Sequence, residues 1–352
     1  MSRRVHVLFL SDTHLGFDEP TRPRSPTRHR GSDFFATFRL ALQAARAERA
    51  DAVVHGGDLF FRSRVQDSLV DRVMEPLIQV AEAGIPVFLI AGNHERSFLP
   101  RTLFTRHDRL YIFDQPRTVR LSVGGMRVAI GGFPCIRRGA RESFASLVAQ
   151  TGLLGESSDI RFLCIHQMVE GARVGPYGYT FRDGDEVVRA SDLPRNVDAI
   201  LSGHVHRHQV LRSDLAGAPL PAPVVYAGST ERTSFAEVSE TKGFVSIFAG
   251  PSSKMAVDSP GAGPSIVFRS LPARPMYVRA LGSGSLQTAL ARFRSSLSEV
   301  DTSGVLQVRI PADRTHDLAS VIKAVKTVVP STMILSFRAP QGFERSSGEN
   351  WH

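Results

Sequence analysis

Cysteine is nearly absent: the 352 residues include two, Cys135 and Cys164, both in apolar surroundings. That excludes a disulfide framework and fits a reducing cytoplasm. Long hydrophobic runs are also missing. Stretches such as Val87–Ala91 fall far short of the roughly 20 residues that a membrane span needs, so no membrane partner is expected. Met1–Leu10 carries two arginines and a short apolar stretch. It lacks the longer apolar region and small-residue cleavage site of a signal peptide. There is no internal repeat and no heptad run. Lysine is scarce: Lys242, Lys254, Lys323 and Lys326 stand against 39 arginines. The net charge of +9 is compatible with a nucleic-acid partner, and equally with a coding sequence that prefers arginine codons.

What is present is ordinary for a globular chain, with 42% hydrophobic and 22% charged residues, so wholesale disorder is excluded. Short apolar runs recur at Val5–Ser11, Ala52–Gly57, Val87–Gly92, Arg127–Phe133, Arg161–Ile165, Ala199–Gly203 and Val224–Gly228. Their near-continuous apolarity predicts strands covered on both faces. Helix-period segments lie near 34–49 and 66–83, the second with Pro76 expected to kink or interrupt it. The fold class is therefore α/β with mixed sheets. The Gly-, Pro- and Ser-rich stretch 250–265 is read as a hairpin loop between strands Phe244–Phe248 and Ile266–Leu271. The domain boundary falls at Pro272–Pro275. Beyond it a strand–helix–strand–helix–strand pattern makes a small α+β unit, and the residues after about 340 read as a flexible tail.

Five apolar runs end in metal-ligand residues: Asp12 and His14, then Asp58, then Asn93 and His94, then His166, then His204 and His206. The carboxyl ends of strands form the ligand crevice of open α/β sheets. Residues two apart in extended backbone face the same way, so Asp12 can share a metal with His14, and both His204 and His206 can face the crevice. If Asp58 bridges, seven residues (Asp12, His14, Asp58, Asn93, His166, His204 and His206) offer two metals four ligands each. Imidazole, carboxylate and amide together suit Mn²⁺, Fe²⁺ or Zn²⁺ rather than Ca²⁺ or Mg²⁺ alone. Two carboxylates leave such a pair at roughly +2, attractive to an anionic phosphate ester, and paired metals can drive in-line displacement at phosphorus.

The ordered set FLSDTHLG (9–16), HGGDLF (55–60), AGNHE (91–95), CIHQ (164–167) and LSGHVH (201–206) resembles the calcineurin-like metallophosphoesterase superfamily. Within it the chain looks most like the SbcD-type DNA double-strand-break repair nucleases, and VYAGSTERTSFAEVSETKGF (225–244) resembles the segment that closes their nuclease domain. The resemblance implies a β-sandwich of mixed sheets flanked by helices over residues 1–272, a capping domain at 273–340 and a tail at 341–352. It places one metal on Asp12, His14, Asp58 and His206, and a second on Asp58, Asn93, His166 and His204, with Mn the expected ion. His94 takes the role of transition-state stabiliser and proton donor, work that suits an imidazole. The implied activity is a two-metal DNA endo- or exonuclease in repair or end processing. The alternatives are a phosphatase or phosphodiesterase on smaller esters, or a DNA-binding scaffold subunit with weak catalysis.

Two departures stand out. The family usually has a second catalytic histidine three residues after the bridging aspartate; here that residue is Phe61, and His55 lies within a strand where it cannot simply substitute. Family members also continue past the cap into helices that dock an SMC-like ATPase. This chain ends about a dozen residues after the cap, which counts against an SbcC-type partner. Arg62, Arg64 and Arg96 follow ligand motifs and are candidate phosphate contacts, as are Arg22, Arg24, Arg28 and Arg30. Tyr177, Tyr179 and Phe181 could stack on bases, but local packing is favoured. His208 is assigned a supporting or surface role. A homodimer is expected from two apolar stripes on 66–83, Leu69/Val73/Leu77 and Val70/Met74/Ile78, one of which would meet a second copy.

Overall fold

Strand Val5–Leu10 is buried along its whole length because it serves two cores. Val5, Val7 and Phe9 point to one side, Leu8 and Leu10 to the other, the period-two alternation of a pleated strand. The computed structural model describes residues 4–19, 29–96, 99, 106–250 and 263–339. Its described residues divide into two compact units. The first takes those within Met1–Phe17, Phe34–Glu231 and Ser239–Pro272, the second those within Asp18–Asp33, Arg232–Val238 and Ala273–His352.

The first unit holds two six-stranded mixed sheets. One runs Ser265–Ser270, Gly243–Ala249, Val5–Leu10, Ala52–His55, Val87–Ile90, Leu110–Phe113, with the last four strands parallel. The other runs Gln209–Ser213, Pro219–Tyr226, Ala199–Gly203, Ile160–His166, Met126–Gly132, Arg117–Val123, with a parallel centre and antiparallel edges. Phe9, Val54, Phe88 and Ile90 of the first sheet share a core with Ile130, Phe162, Cys164 and Leu201 of the second. Each buried apolar side chain of this size contributes about 1.5–3 kcal/mol. Helices Gly31–Ala47 and Asp67–Glu82 cover the outer face of the first sheet, and helix Ala140–Gln150 that of the second. The result is a β-sandwich of mixed sheets flanked by helices.

One expectation about the second helix, that Pro76 interrupts it, is corrected. It runs through Pro76 uninterrupted, and the proline ring is buried on the core side with Val73 and Leu77, so packing outweighs the lost backbone bond. Its two stripes do not separate into a core face and a free face. Val70 and Met74 are buried in the chain's own core, and Leu69 and Ile78 are partly buried against it.

Strands Gly243–Ala249 and Ser265–Ser270 pair antiparallel, as a hairpin requires; most of the 250–265 connection itself lies outside the described residues. So do the tail 341–352 and Arg22, Arg24 and Arg28. In the second unit, strands Met276–Ala280, Val305–Arg309 and Ile334–Arg338 form a parallel sheet, alternating along the chain with helices Leu286–Ser295 and Leu318–Val328. Arg274 clasps Asp33 with two hydrogen bonds, at 2.6 and 2.7 Å, within this unit. Arg30, a candidate phosphate contact, is instead buried, with Nε 3.8 Å from Asp33. Among the described residues no helix is long and apolar enough to cross a membrane.

Candidate metal centre

Parallel strands point their carboxyl ends the same way, and the ligand residues follow those ends directly. Here the backbone leaves ordinary space: Asp12, His14, Asp58 and His204 all have positive φ, at 52°, 45°, 53° and 83°. Such conformations are costly outside glycine and cluster at functional sites. Neighbouring glycines allow the crowding. A Cβ on Gly92 would lie 2.1 Å from Asp58 Oδ1, and one on Gly203 would lie 2.2 Å from the Gly56 carbonyl.

All seven expected ligands meet. His14 Nε2 and His206 Nε2 lie 2.9 Å apart. Asn93 Oδ1 lies 2.9 Å from His166 Nε2 and 2.8 Å from His204 Nδ1. Ligand atoms of Asp12, His14 and His206 lie within 4.8 Å of one another, as do those of Asp12, Asp58 and His166. Asp58 Oδ2 stands 3.5 Å from His166 Nε2, so this carboxylate faces the second cluster as well as the first. His166 Nδ1 meets the Gly56 carbonyl at 2.8 Å; donating there leaves Nε2 for a metal. Asp12 and Asp58 are both buried carboxylates, which demand cations in low dielectric. The donor set fits two divalent ions.

The electrostatics agree. Burial presses the Asp12 carboxyl up, against the charges of His166 and His206. Burial presses on Asp58 too, but the His166 charge and hydrogen bond, His14 and the His94 N–H together hold it well below the usual carboxylate range. Burial favours neutral His166, yet Asp58 and Asp12 outweigh it and hold the ring up to about 9. His204, buried and facing His166, is pushed down to about 3.

His94 sits beside the cluster rather than under it. Its Nδ1 meets the Phe61 carbonyl at 2.8 Å, and its Nε2 is 4.0 Å from Asp58 Oδ2. A ligand atom of His94 also lies within 4.8 Å of His14 and Asp58, but its side chain is 35% exposed, as suits a group that meets substrate. The Phe61 ring packs tilted on His94 at 5.6 Å between centroids and edge-on to Phe17 at 4.9 Å. An apolar wall thus stands where the resemblance leads to the expectation of a histidine. Arg62 and Arg96 are exposed; the Arg62 guanidinium lies 5.7 Å over the Phe61 ring. Arg64 is exposed as well. Local packing holds for Phe181 and for Tyr179, whose rings meet edge-on at 5.4 Å between centroids, whereas Tyr177 is 99% exposed. His208 stacks on Phe268 at 4.2 Å and bonds the Tyr226 carbonyl.

Three residues that sequence reasoning gave no supporting role have one. Glu95 is buried and accepts from Phe60 N–H at 2.6 Å, Gly92 N–H at 2.7 Å and Asp58 N–H at 3.2 Å, tying two ligand loops together. His55 is held down to about 3 by burial, and so neutral. It takes Gly57 N–H on Nδ1 and gives Nε2–H to Thr13, which donates to the Leu59 carbonyl. The third is Lys242. Glu95 stood inside the AGNHE text and Lys242 was one of four lysines, the only signals available.

Known proteins place this arrangement. The family model described as calcineurin-like phosphoesterase matches residues 5–208. The DNA double-strand break repair protein Mre11 of Methanosarcina acetivorans is 30% identical over 243 residues, 67% of this chain and 36% of that protein. The protein of the same name from Aeropyrum pernix is 26% identical over 352 residues, covering 94% of this chain and 78% of its own. The chain spans about a third of the length of the Methanosarcina relatives. Among solved structures, a dimetal phosphatase from Danio rerio aligns with a TM-score of 0.44 at 16% identity, covering 70% of this chain and 92% of that one. With a family match over more than half its length, this chain belongs to the calcineurin-like phosphoesterases.

Proposed function

We propose that the chain is a two-metal DNA nuclease acting in repair or end processing. The observation that carries this reading is the convergence of seven donors, with Asp58 facing both clusters. Asp12, His14, Asp58 and His206 would hold one ion, and Asp58, Asn93, His166 and His204 the other, with Mn²⁺ best suited to the donor mix. When bound, such a pair supplies an activated hydroxide and neutralises charge on a phosphate. His94, oriented by the Phe61 carbonyl, gives a proton to the leaving oxygen from Nε2. Arg62 and Arg96 bind flanking phosphates.

The relatives' name and the net charge of +9 favour DNA over a small ester. Residues 273–340 act as the DNA-facing cap by the same resemblance. Cys135 and Cys164, both buried free thiols, suit the reducing cytoplasm in which we place the protein. Phe61 sharpens the substrate. Without a histidine to seat a phosphodiester, a duplex end must be opened at a cost of a few kcal/mol, whereas a single strand reaches the metals with little distortion.

The test is to incubate protein and Mn²⁺ with single-stranded DNA, blunt duplex and a chromogenic phosphate ester. Single strands are cut fastest, and Phe61→His narrows the gap to duplex. Turnover of the ester alone would replace this reading with a small-molecule phosphatase.

A further inference from the structure

Residues 225–231 and 239–244 carry none of the seven candidate ligands, yet they bond to the loops that do. Tyr226 Oη is buried, accepts Val169 N–H at 2.9 Å and donates to the Gln167 carbonyl at 3.0 Å, one residue beyond His166. The Gly228 carbonyl accepts from Ser11, one residue before Asp12. Gly228 has φ 79°, and a Cβ there would lie 2.8 Å from both the His206 carbonyl and the His208 nitrogen.

The tightest hold is on His206. Its carbonyl accepts Ser229 N–H at 3.1 Å and Lys242 Nζ at 3.0 Å, which uses both lone pairs. The Lys242 side chain is 0% exposed and pairs with Glu240 at 2.9 Å; Glu240 also takes Arg207 at 3.1 Å. A fully buried ammonium close to an expected dication site is expensive. An apolar residue could fill the same space without that cost, so the charge itself has a use. A charge-assisted bond to one carbonyl fixes the backbone from which the imidazole hangs. The choice of residue points the same way. In a chain with 39 arginines and four lysines, this position has the compact point donor rather than the planar fork.

We propose that Lys242 is a positioning residue which, through the His206 carbonyl, sets the affinity for the ion held by Asp12, His14, Asp58 and His206. The proposal rests on the two-metal reading above. It is tested by titrating Mn²⁺ into wild type, Lys242→Met and Lys242→Met/Glu240→Gln. The double variant also removes the countercharge that Lys242→Met leaves buried without its ammonium. Calorimetry counts the ions, paramagnetic resonance separates a lone Mn²⁺ from a coupled pair, and melting of the metal-free proteins reports the fold.

Wild type takes two ions. Both variants keep one affinity and bind the other ion roughly 10–100-fold more weakly, as for groups that orient a ligand. At limiting Mn²⁺ they show the lone-ion spectrum where wild type shows the pair. Equal weakening of both ions, unchanged binding, or collapse of metal-free melting in both variants would overturn the proposal. If wild type itself failed to bind two ions, the two-metal reading would fall, and this inference with it.

Discussion

Replacing Glu95 by glutamine removes one oxygen from a buried carboxylate that serves three backbone donors. Glutamine has a single acceptor oxygen. Its best orientation keeps that oxygen on Asp58 and Gly92 N–H and turns the NH₂ toward Phe60 N–H, which loses the 2.6 Å bond. A buried donor left unmet costs about 1–3 kcal/mol, and the two surviving bonds lose their charge assistance, so the total is about 2–5 kcal/mol. Burial and the Asp58 charge push Glu95 up to about 8, against the N–H groups of Phe60 and Gly92. Cations bound at Asp58 cancel that repulsion, so the carboxylate form, and with it the penalty, is fullest in metal-loaded protein. At 2–4 °C per kcal/mol for a domain of about this size, the melting point of Mn²⁺-loaded Glu95→Gln falls by about 4–20 °C. Scanning calorimetry with and without Mn²⁺ measures it. An unchanged melting point in the loaded protein would refute the reasoning and show that glutamine is an adequate substitute for the clamp.

Asp58→Ala loses both ions, because this carboxylate faces both clusters, whereas His94→Ala keeps them and loses about 10²–10⁴ in turnover; metal analysis beside a rate assay separates the two. Gly92→Ala drives a methyl into Asp58 Oδ1 and abolishes two-ion binding in the same metal analysis. His166 must lose its proton to ligate, and metal-free protein holds that proton to about 9, so Mn²⁺ affinity rises roughly tenfold per pH unit from 7 to 9 and then levels, as titration at several pH values would show. Its folded value lies above the ordinary 6.5, so its contribution to the metal-free fold is fully present below 6.5 and lost as pH rises through 9; urea melts check this, and a contribution that grew with pH would contradict it.

The sequence by itself determined the strands, because an apolar run buried on both faces is written locally, residue by residue, as in Val5–Leu10 and Val87–Ile90. It also pointed to the candidate ligands: Asp12, His14, Asp58, Asn93, His204 and His206 follow strand ends and His166 closes its strand, and parallel strands carry such ends the same way. The partners of those ligands could not be read the same way. Glu95 meets Asp58 and Phe60 across more than 30 residues, and Lys242 meets His206 across 36, so no local period links them. The helix Asp67–Glu82 shows the same limit. Its two stripes are plain in the sequence, but whether the second faces solvent, a copy or the chain's own core depends on the side chains that surround it. Only tertiary structure decided that, because burial and long-range hydrogen bonds are properties of what the fold brings together.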